Sequence, residues 1–375
     1  MITVKNSKKR YHRNEIVQTL ESFILDNGIS GGSRLPGTAQ LSTQFNVSEK
    51  TIHRAMDKLV EKRVLYRVRG QGTFVCDHIK PKRVSSVALL RINNGLTVLP
   101  GLDRIAFDNF FDDLEYRLRE EENCKVSVIR VSRERDYMDK LVSLEFFDCI
   151  VAAAGWLELL PQLFDCAKRV VLIQDSEFHY GNFNQILVDY VPGFRKMLRY
   201  FKTLGQKKFF VAGVTTDTSR HRYESLMLAA QLEGFRPEQL HLYQSSEPYY
   251  ANIVAAGNDC AARYLSEFDL SCAVISLSDY IALGMVDAFE RHGIRPGVDM
   301  AMVSYDNLLW QLPEFSGKFT FHSIAHPVDP MIDATVQVCR NVVRAQDPKF
   351  SCTLTVPSEE FIVYDEKTDT HAPLN

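Results

Sequence analysis

The chain has 375 residues, 45 % hydrophobic and 24 % charged, with a net charge of -3. That length allows two or three globular units, and the composition supplies real cores, which excludes a disordered or fibrous chain. No apolar run approaches the roughly 18 residues of a membrane span, and the basic opening MITVKNSKKRYHRNE carries no signal-peptide core, so a cytoplasmic location is expected.

Eight cysteines stand at 76, 124, 149, 166, 260, 272, 339 and 352, none with C-x-x-C spacing. Scattered reduced thiols are expected rather than disulfides, and no metal or cofactor is expected. Charge is uneven: residues 1–83 carry +9 and the remainder -12. A basic head on an acidic body suits a chain whose head alone meets nucleic acid. A solvated basic tail would have the same composition.

In chain order, residues 13–26 predict an amphipathic helix with Ile16, Leu20, Phe23 and Ile24 on one face, stopped by Asn27-Gly28. A Gly-rich loop leads to a short helix, Thr38–Phe45, with Thr38 as its expected N-cap. Asn46-Val47 turns the chain, and Ser48 caps a third helix, Glu49–Lys62, with Ile52, Ala55, Met56 and Leu59 inward. Val64–Arg69 and Thr73–Val75 predict a hairpin joined by Gly70-Gln71-Gly72. Three helices and a hairpin in this order predict a winged helix-turn-helix over residues 1–76, whose last helix fits a major groove. Lys50, Thr51, His53, Arg54 and Lys58 point outward from that helix, and Arg67 and Arg69 lie on the wing beside glycines that let backbone approach a phosphate.

Arg34-Leu35-Pro36, Leu41, Phe45-Asn46-Val47-Ser48, Thr51, Ala55, Leu59 and Gly70-Gln71-Gly72-Thr73-Phe74-Val75 resemble the GntR-family DNA-binding domain. The resemblance implies a DNA interface of Arg34, Thr38, Ser48, Lys50, Thr51, His53, Arg54, Lys58, Arg67, Arg69, Gly70, Gly72 and Thr73. Where the family has Ser-Glu-Arg after Leu-Pro, this chain has Gly37, Thr38 and Ala39; two family arginines are Glu49 and His53. Lys50 and Arg54 are the expected substitutes, and Glu49 can accept from a cytosine amino group.

Residues 77–83 are a polar linker. Over residues 84–366 the pattern alternates: β at Ser86–Ile92, helix at Asp103–Glu121, β at Lys125–Val131, Asp148–Ala154 and Arg169–Gln174, helix at Pro192–Leu204, β at Lys208–Val214, helix at Ser219–Glu233. Then follow β at Ala273–Leu277, helix at Tyr280–His292, β at Met300–Ser304 and helix at Pro327–Arg344, before a tail at 367–375. Alternation of this kind predicts an α/β class with parallel sheets and helices on both faces. Two such sheets with a cleft between their strand ends suit the length.

Four stretches resemble the ligand-binding domain of LacI/GalR-type regulators, which is similar to periplasmic sugar-binding proteins: Leu204-Gly205-Gln206-Lys207-Lys208 with Arg222 downstream, Ser278–Gly284, Gly293–Asn307, and Ser323–Pro327. The family's Asn and Gly are here Ser278 and Ser304. The resemblance implies a ligand-contacting arginine and aspartate at Arg222 and Asp306. A sugar needs a planar donor such as Arg222, acceptors such as Asp306 and Asp279, and an aromatic wall, for which Phe107, Trp156 and Tyr305 stand near the right ends. Asp175 and His326 are further candidates. Each has a plainer reading: Arg222 in an interdomain ion pair, Asp279 as a helix cap, the aromatics as core.

No G-x-S-x-G, Walker loop, H-E-x-x-H or post-strand G-x-G-x-x-G is present, so no catalytic residues are expected. The expected function is sequence-specific transcription regulation, as a repressor, by a homodimer on a double-stranded operator, controlled by a small effector, a sugar. The alternatives are a solute-binding receptor, or a regulator whose body binds a protein partner.

Overall fold

A computed structural model describes residues 15–26, 29, 31–77, 85–93, 102–132, 143–153, 163, 169–174, 182–247, 253–308, 319–344, 351–368 and 370–374. The chain divides into two units, Met1–Val84 and Ser85–Asn375.

The first unit contains α1 (Glu15–Asp26), α2 (Thr38–Phe45), α3 (Glu49–Glu61), β1 (Leu65–Val68) and β2 (Gly72–Val75). Ile16, Leu20 and Ile24 of α1 meet Leu41, Ile52, Leu59 and Val75 in one core, as the helical spacing requires. The α2 N-cap is Gly37, one residue before the expected Thr38. Gly37 offers no side chain, so Gln40 supplies the local bond by accepting from the Gly37 N–H at 3.2 Å. Ser48 caps α3 as expected, accepting from the Thr51 N–H at 3.2 Å. The segment read as a loop before α2 bonds instead along β2: the Gly32 N–H donates to Val75 O and the Leu35 N–H to Thr73 O, both at 2.9 Å. Its glycines hid a strand partner.

The second unit runs β3 (Ser86–Asn93), α4 (Leu102–Glu120), β4 (Lys125–Ser132), β5 (Cys149–Ala153), β6 (Val170–Gln174) and β7 (Asn184–Asp189). It continues with α5 (Val191–Thr203), β8 (Phe209–Val214), α6 (Asp217–Leu232), β9 (Leu240–Ser245), α7 (Ile253–Glu267), β10 (Ala273–Ser276), α8 (Asp279–Arg291), β11 (Met302–Asp306) and β12 (His322–Ala325). It closes with α9 (Val328–Arg344), β13 (Thr353–Pro357), β14 (Phe361–Asp365) and β15 (Thr370–Pro373).

Two parallel sheets form, as expected. One has the order β13-β7-β6-β5-β3-β4 with every neighbour parallel. The other has the order β15-β14-β12-β11-β10-β8-β9, parallel from β9 to β12 and antiparallel beyond. Both faces are covered, which the continuous apolar runs demand. In β8, Phe209 and Val211 enter one core while Phe210 and Ala212 enter another. The stretch expected as a tail contributes β15, which pairs with β14 from Ile362↔Pro373 to Asp365↔Thr370. The seven described cysteines are all free thiols.

The chain passes between the sheets three times: from β7 into α5, from β12 into α9, and from β13 into β14. Ser358, in the third passage, knots them. Its N–H donates to Asp189 O at 2.8 Å, its hydroxyl to Ala325 O at 2.9 Å, and its carbonyl accepts from the Gly193 N–H at 2.8 Å. A Cβ on Gly193 would lie 2.7 Å from Ser358 O and 2.8 Å from Ile324 Cγ2, so only glycine lets the passages approach this closely.

Candidate functional site

The first unit presents one polar surface. Lys50, His53, Arg54 and Lys58 of α3 are exposed, while Ile52, Ala55, Met56 and Leu59 are buried. The two sets separate cleanly because α3 is amphipathic. Lys50, His53 and Arg54, with Thr38, Glu49 and Asp57, line a depression of about 410 Å³. Thr51 is half-buried and its hydroxyl lies 2.8 Å from Ser48 Oγ, so both serve the start of α3. In the wing, Arg67 and Arg69 are exposed. Gly70 and Gly72 have φ of 76° and 124°, which favour glycine. A side chain at Gly72 would strike Arg34 Nε at 2.9 Å, so the absent Cβ lets the Arg34 guanidinium lie against the wing at Gly72. The structure thus places the expected head residues on α3 and its cap, at the start of α2, on the wing and, for Arg34, in the segment that pairs with the wing.

In the second unit, parallel strands end side by side, and the turns that follow carry the candidates. After β8, Thr216 caps α6, which holds Arg222; after β10, Ser278 caps α8, which opens with Asp279. β11 runs two residues further than expected, to Asp306, and carries Tyr305 and Asp306 into the sheet.

Arg222 Nη2 lies 2.7 Å from Asp306 Oδ1, and both side chains are nearly buried, at 5 % and 9 % exposure. Arg222 Nη1 also donates to Leu277 O at 2.8 Å. The other Asp306 oxygen accepts from Ser278 Oγ at 3.1 Å and from the Asp279 N–H at 3.3 Å. The guanidinium stacks 4.1 Å over Tyr305 and 5.4 Å from Tyr190. Asp306 and Asn307 take φ of 122° and 57°, an uncommon region for residues with a Cβ. Such strain is held where surrounding bonds over-determine the backbone, as here, where the Asp306 carbonyl also accepts from the His326 N–H at 3.1 Å.

Two expected contacts take other roles. Asp279 is fully buried and does not cap its helix; Ser278 does, accepting from the Tyr280 N–H at 3.3 Å. The Asp279 carboxylate accepts from Ser304 Oγ at 2.5 Å and the Leu308 N–H at 2.7 Å, so it braces the strand ends. Tyr305 is fully buried, its ring under Arg222 and its hydroxyl donating to Ser358 Oγ at 2.6 Å, so it orients the arginine rather than offering an open stacking wall. The His326 ring stands 6.2 Å from Tyr305, edge on. Trp156, Asp175 and the Phe107 side chain lie outside the described residues. Tyr190 and Ser358 join the site without a sequence signal, because both come from passages between sheets. Ser278 and Ser304, read only as departures from a pattern, are the hydroxyls that serve the two aspartates.

The description "Bacterial regulatory proteins, gntR family" matches residues 12–75. Those residues are similar to a gntR-family regulatory domain. The uncharacterized HTH-type transcriptional regulator YydK of Bacillus subtilis (strain 168) is 34 % identical over 76 residues, 20 % of this chain and 31 % of that protein. The chain matches under a third of that relative's length. The arabinose metabolism transcriptional repressor of Halalkalibacterium halodurans is 20 % identical over 377 residues, covering 94 % of each chain. Among solved structures, a transcriptional regulator CelR–cellobiose complex has a TM-score of 0.59 at 16 % identity, over 84 % of this chain and 89 % of that one. That likeness shows a shared fold. The proteins matched are transcription regulators, and no helix among the described residues is long and apolar enough to cross a membrane.

Proposed function

We propose that the chain is a cytoplasmic transcription repressor whose gntR-family head binds an operator duplex and whose α/β unit binds a sugar that releases it. The observation that carries this reading is the pairing of two units in one chain. One has an exposed cationic α3 and wing on a gntR-family scaffold, the other a buried Arg222–Asp306 pair at the strand ends of a two-sheet fold. The arabinose repressor's name and the bound cellobiose of the structural relative support a saccharide as effector.

Arg222 supplies a planar donor fork and Asp306 an acceptor, the two functions that grip neighbouring hydroxyls. Asp279, Ser304 and Ser278 hold them in place. Two copies related by a twofold would set their α3 helices roughly 34–36 Å apart on a palindrome. The effector acts by binding one arrangement of the sheets better than another, and shifts DNA affinity only by that difference.

Selection of duplexes from a random library by the full-length chain tests this. Enrichment of a palindrome, followed by its release on addition of one member of a panel of neutral sugars, supports the reading. Failure to enrich any duplex refutes DNA recognition, and retention of the duplex across the panel refutes the sugar.

A further inference from the structure

Lys50, His53, Arg54 and Asp57 share one face of α3, at spacings of three and four residues. A carboxylate on a face built to approach phosphates opposes binding unless it has a task. Asp57 has two partners. Its Oδ2 lies 3.1 Å from His53 Nδ1, and its Oδ1 lies 2.6 Å from Arg67 Nη2 on β1. One side chain therefore joins helix α3 to the wing, through two residues that both face outward.

Stability does not explain this arrangement. The His53 and Arg67 side chains are 58 % and 40 % exposed, so water screens both pairs and their contribution to folding is small. The wing is already held by Leu59, Leu65 and Val75 in the core of the head. What the pairs can do is restrict two side chains that would otherwise sample many rotamers, and offset the Arg67 charge.

We propose that Asp57 is a specificity-determining positioning residue of the DNA interface. It holds His53 and Arg67 in one mutual geometry and keeps them from engaging phosphates indiscriminately. This rests on the head's reading as a DNA-binding unit. A cation paired to a carboxylate contributes little to the sequence-independent, salt-sensitive part of binding. Freed from Asp57, Arg67 gains a phosphate partner on any duplex, so non-specific affinity rises while the operator geometry loosens.

The test uses the full-length chain, a duplex enriched by it from a random library, and a scrambled duplex of equal length and composition. Affinities are measured against salt for the unsubstituted chain, Asp57→Ala, Asp57→Glu, Arg67→Ala and Asp57→Ala/Arg67→Ala. Asp57→Ala is expected to lower the ratio of enriched-duplex to scrambled-duplex affinity by about tenfold and to steepen the salt dependence by about one ion. Adding Arg67→Ala returns the slope to its original value, and Asp57→Glu, which keeps the charge, restores most of the ratio. An unchanged ratio and slope in Asp57→Ala overturns the proposal. So does equal weakening on both duplexes, which marks a purely structural residue. If the unsubstituted chain enriches no duplex, the DNA-binding reading itself falls, a result distinct from either.

Discussion

Replacing Arg222 with Met removes a charge and keeps most of the volume, leaving Asp306 at 9 % side-chain exposure without its 2.7 Å partner. Among the described residues the carboxylate keeps the Ser278 hydroxyl at 3.1 Å and the Asp279 N–H at 3.3 Å, both longer than the lost contact. Breaking a buried pair from one side costs about 3–5 kcal/mol, because the remaining charge stays desolvated. Replacing Asp306 with Asn removes the negative charge that faces the Arg222 guanidinium, so the loss is again that of a buried charge without its counter-charge. The double variant leaves neither charge behind, so its loss falls well short of the sum, with a coupling of about 2 kcal/mol or more. Urea unfolding of the full chain, followed by circular dichroism, measures all four forms of the cycle. An Arg222→Met loss below about 1 kcal/mol, or single losses that add within about 0.5 kcal/mol, would refute the buried pair as a unit. The same Arg222→Met chain is expected to lose any sugar-induced rise in melting temperature.

His322 lies among Tyr200, Phe201 and Phe361, and burial with nearby His371 pushes its pKa from 6.5 down to about 4. Its Nδ1 accepts from the Tyr364 N–H at 3.1 Å, so the folded ring is neutral there. Between those pH values the unfolded chain binds the proton and the folded chain does not, so stability falls as pH drops from 6.5 toward 4, by about 3 kcal/mol at most. Denaturation midpoints across that range should show the slope, and His322→Asn should remove it. At the α7–α8 crossing, a Cβ on Gly257 would sit 2.3 Å from Ile281 O and 2.7 Å from Gly284 Cα. Gly257→Val should therefore cost at least about 1–3 kcal/mol by overpacking, read from the unfolding midpoint; an unchanged midpoint would contradict the close crossing. Ser48→Ala removes the α3 cap and should lower the stability of the head by about 0.5–2 kcal/mol, with no effect on the melting of the second unit.

Much of the fold was legible because helical periodicity and turn residues agree locally. The three head helices and the wing, and most parallel strands, sit where spacing puts them. The misses share a physical cause. β7, for which no strand was expected, opens with the polar Asn184 and Gln185, yet Asn184 is buried as its amide donates to Val170 O and accepts from the Cys352 N–H. α7 was missed because its packing face mixes Gly257, Ala256 and Ala261, which allow a close crossing, with Cys260 and Tyr264 instead of a stripe of large aliphatic residues. β9, β14 and β15 sit at or near a sheet edge, where only half the pattern is buried.

At the site, Arg222 and Asp306 were found through resemblance, and the structure places them in contact. The roles of Ser278, Ser304, Tyr190 and Ser358 were not legible, because each depends on a neighbour far along the chain. In the head, Asp57 carries no signal in the sequence, because its partner Arg67 stands on the wing, ten residues along the chain.

The most direct measurement is binding of the full-length chain to its library-enriched duplex, by fluorescence anisotropy, at a series of salt concentrations. If the head grips DNA through its cationic helix and wing, affinity falls steeply and log-linearly as salt rises, and a neutral sugar shifts the curve at every salt concentration. No binding at low salt, or an affinity indifferent to salt, would contradict that claim.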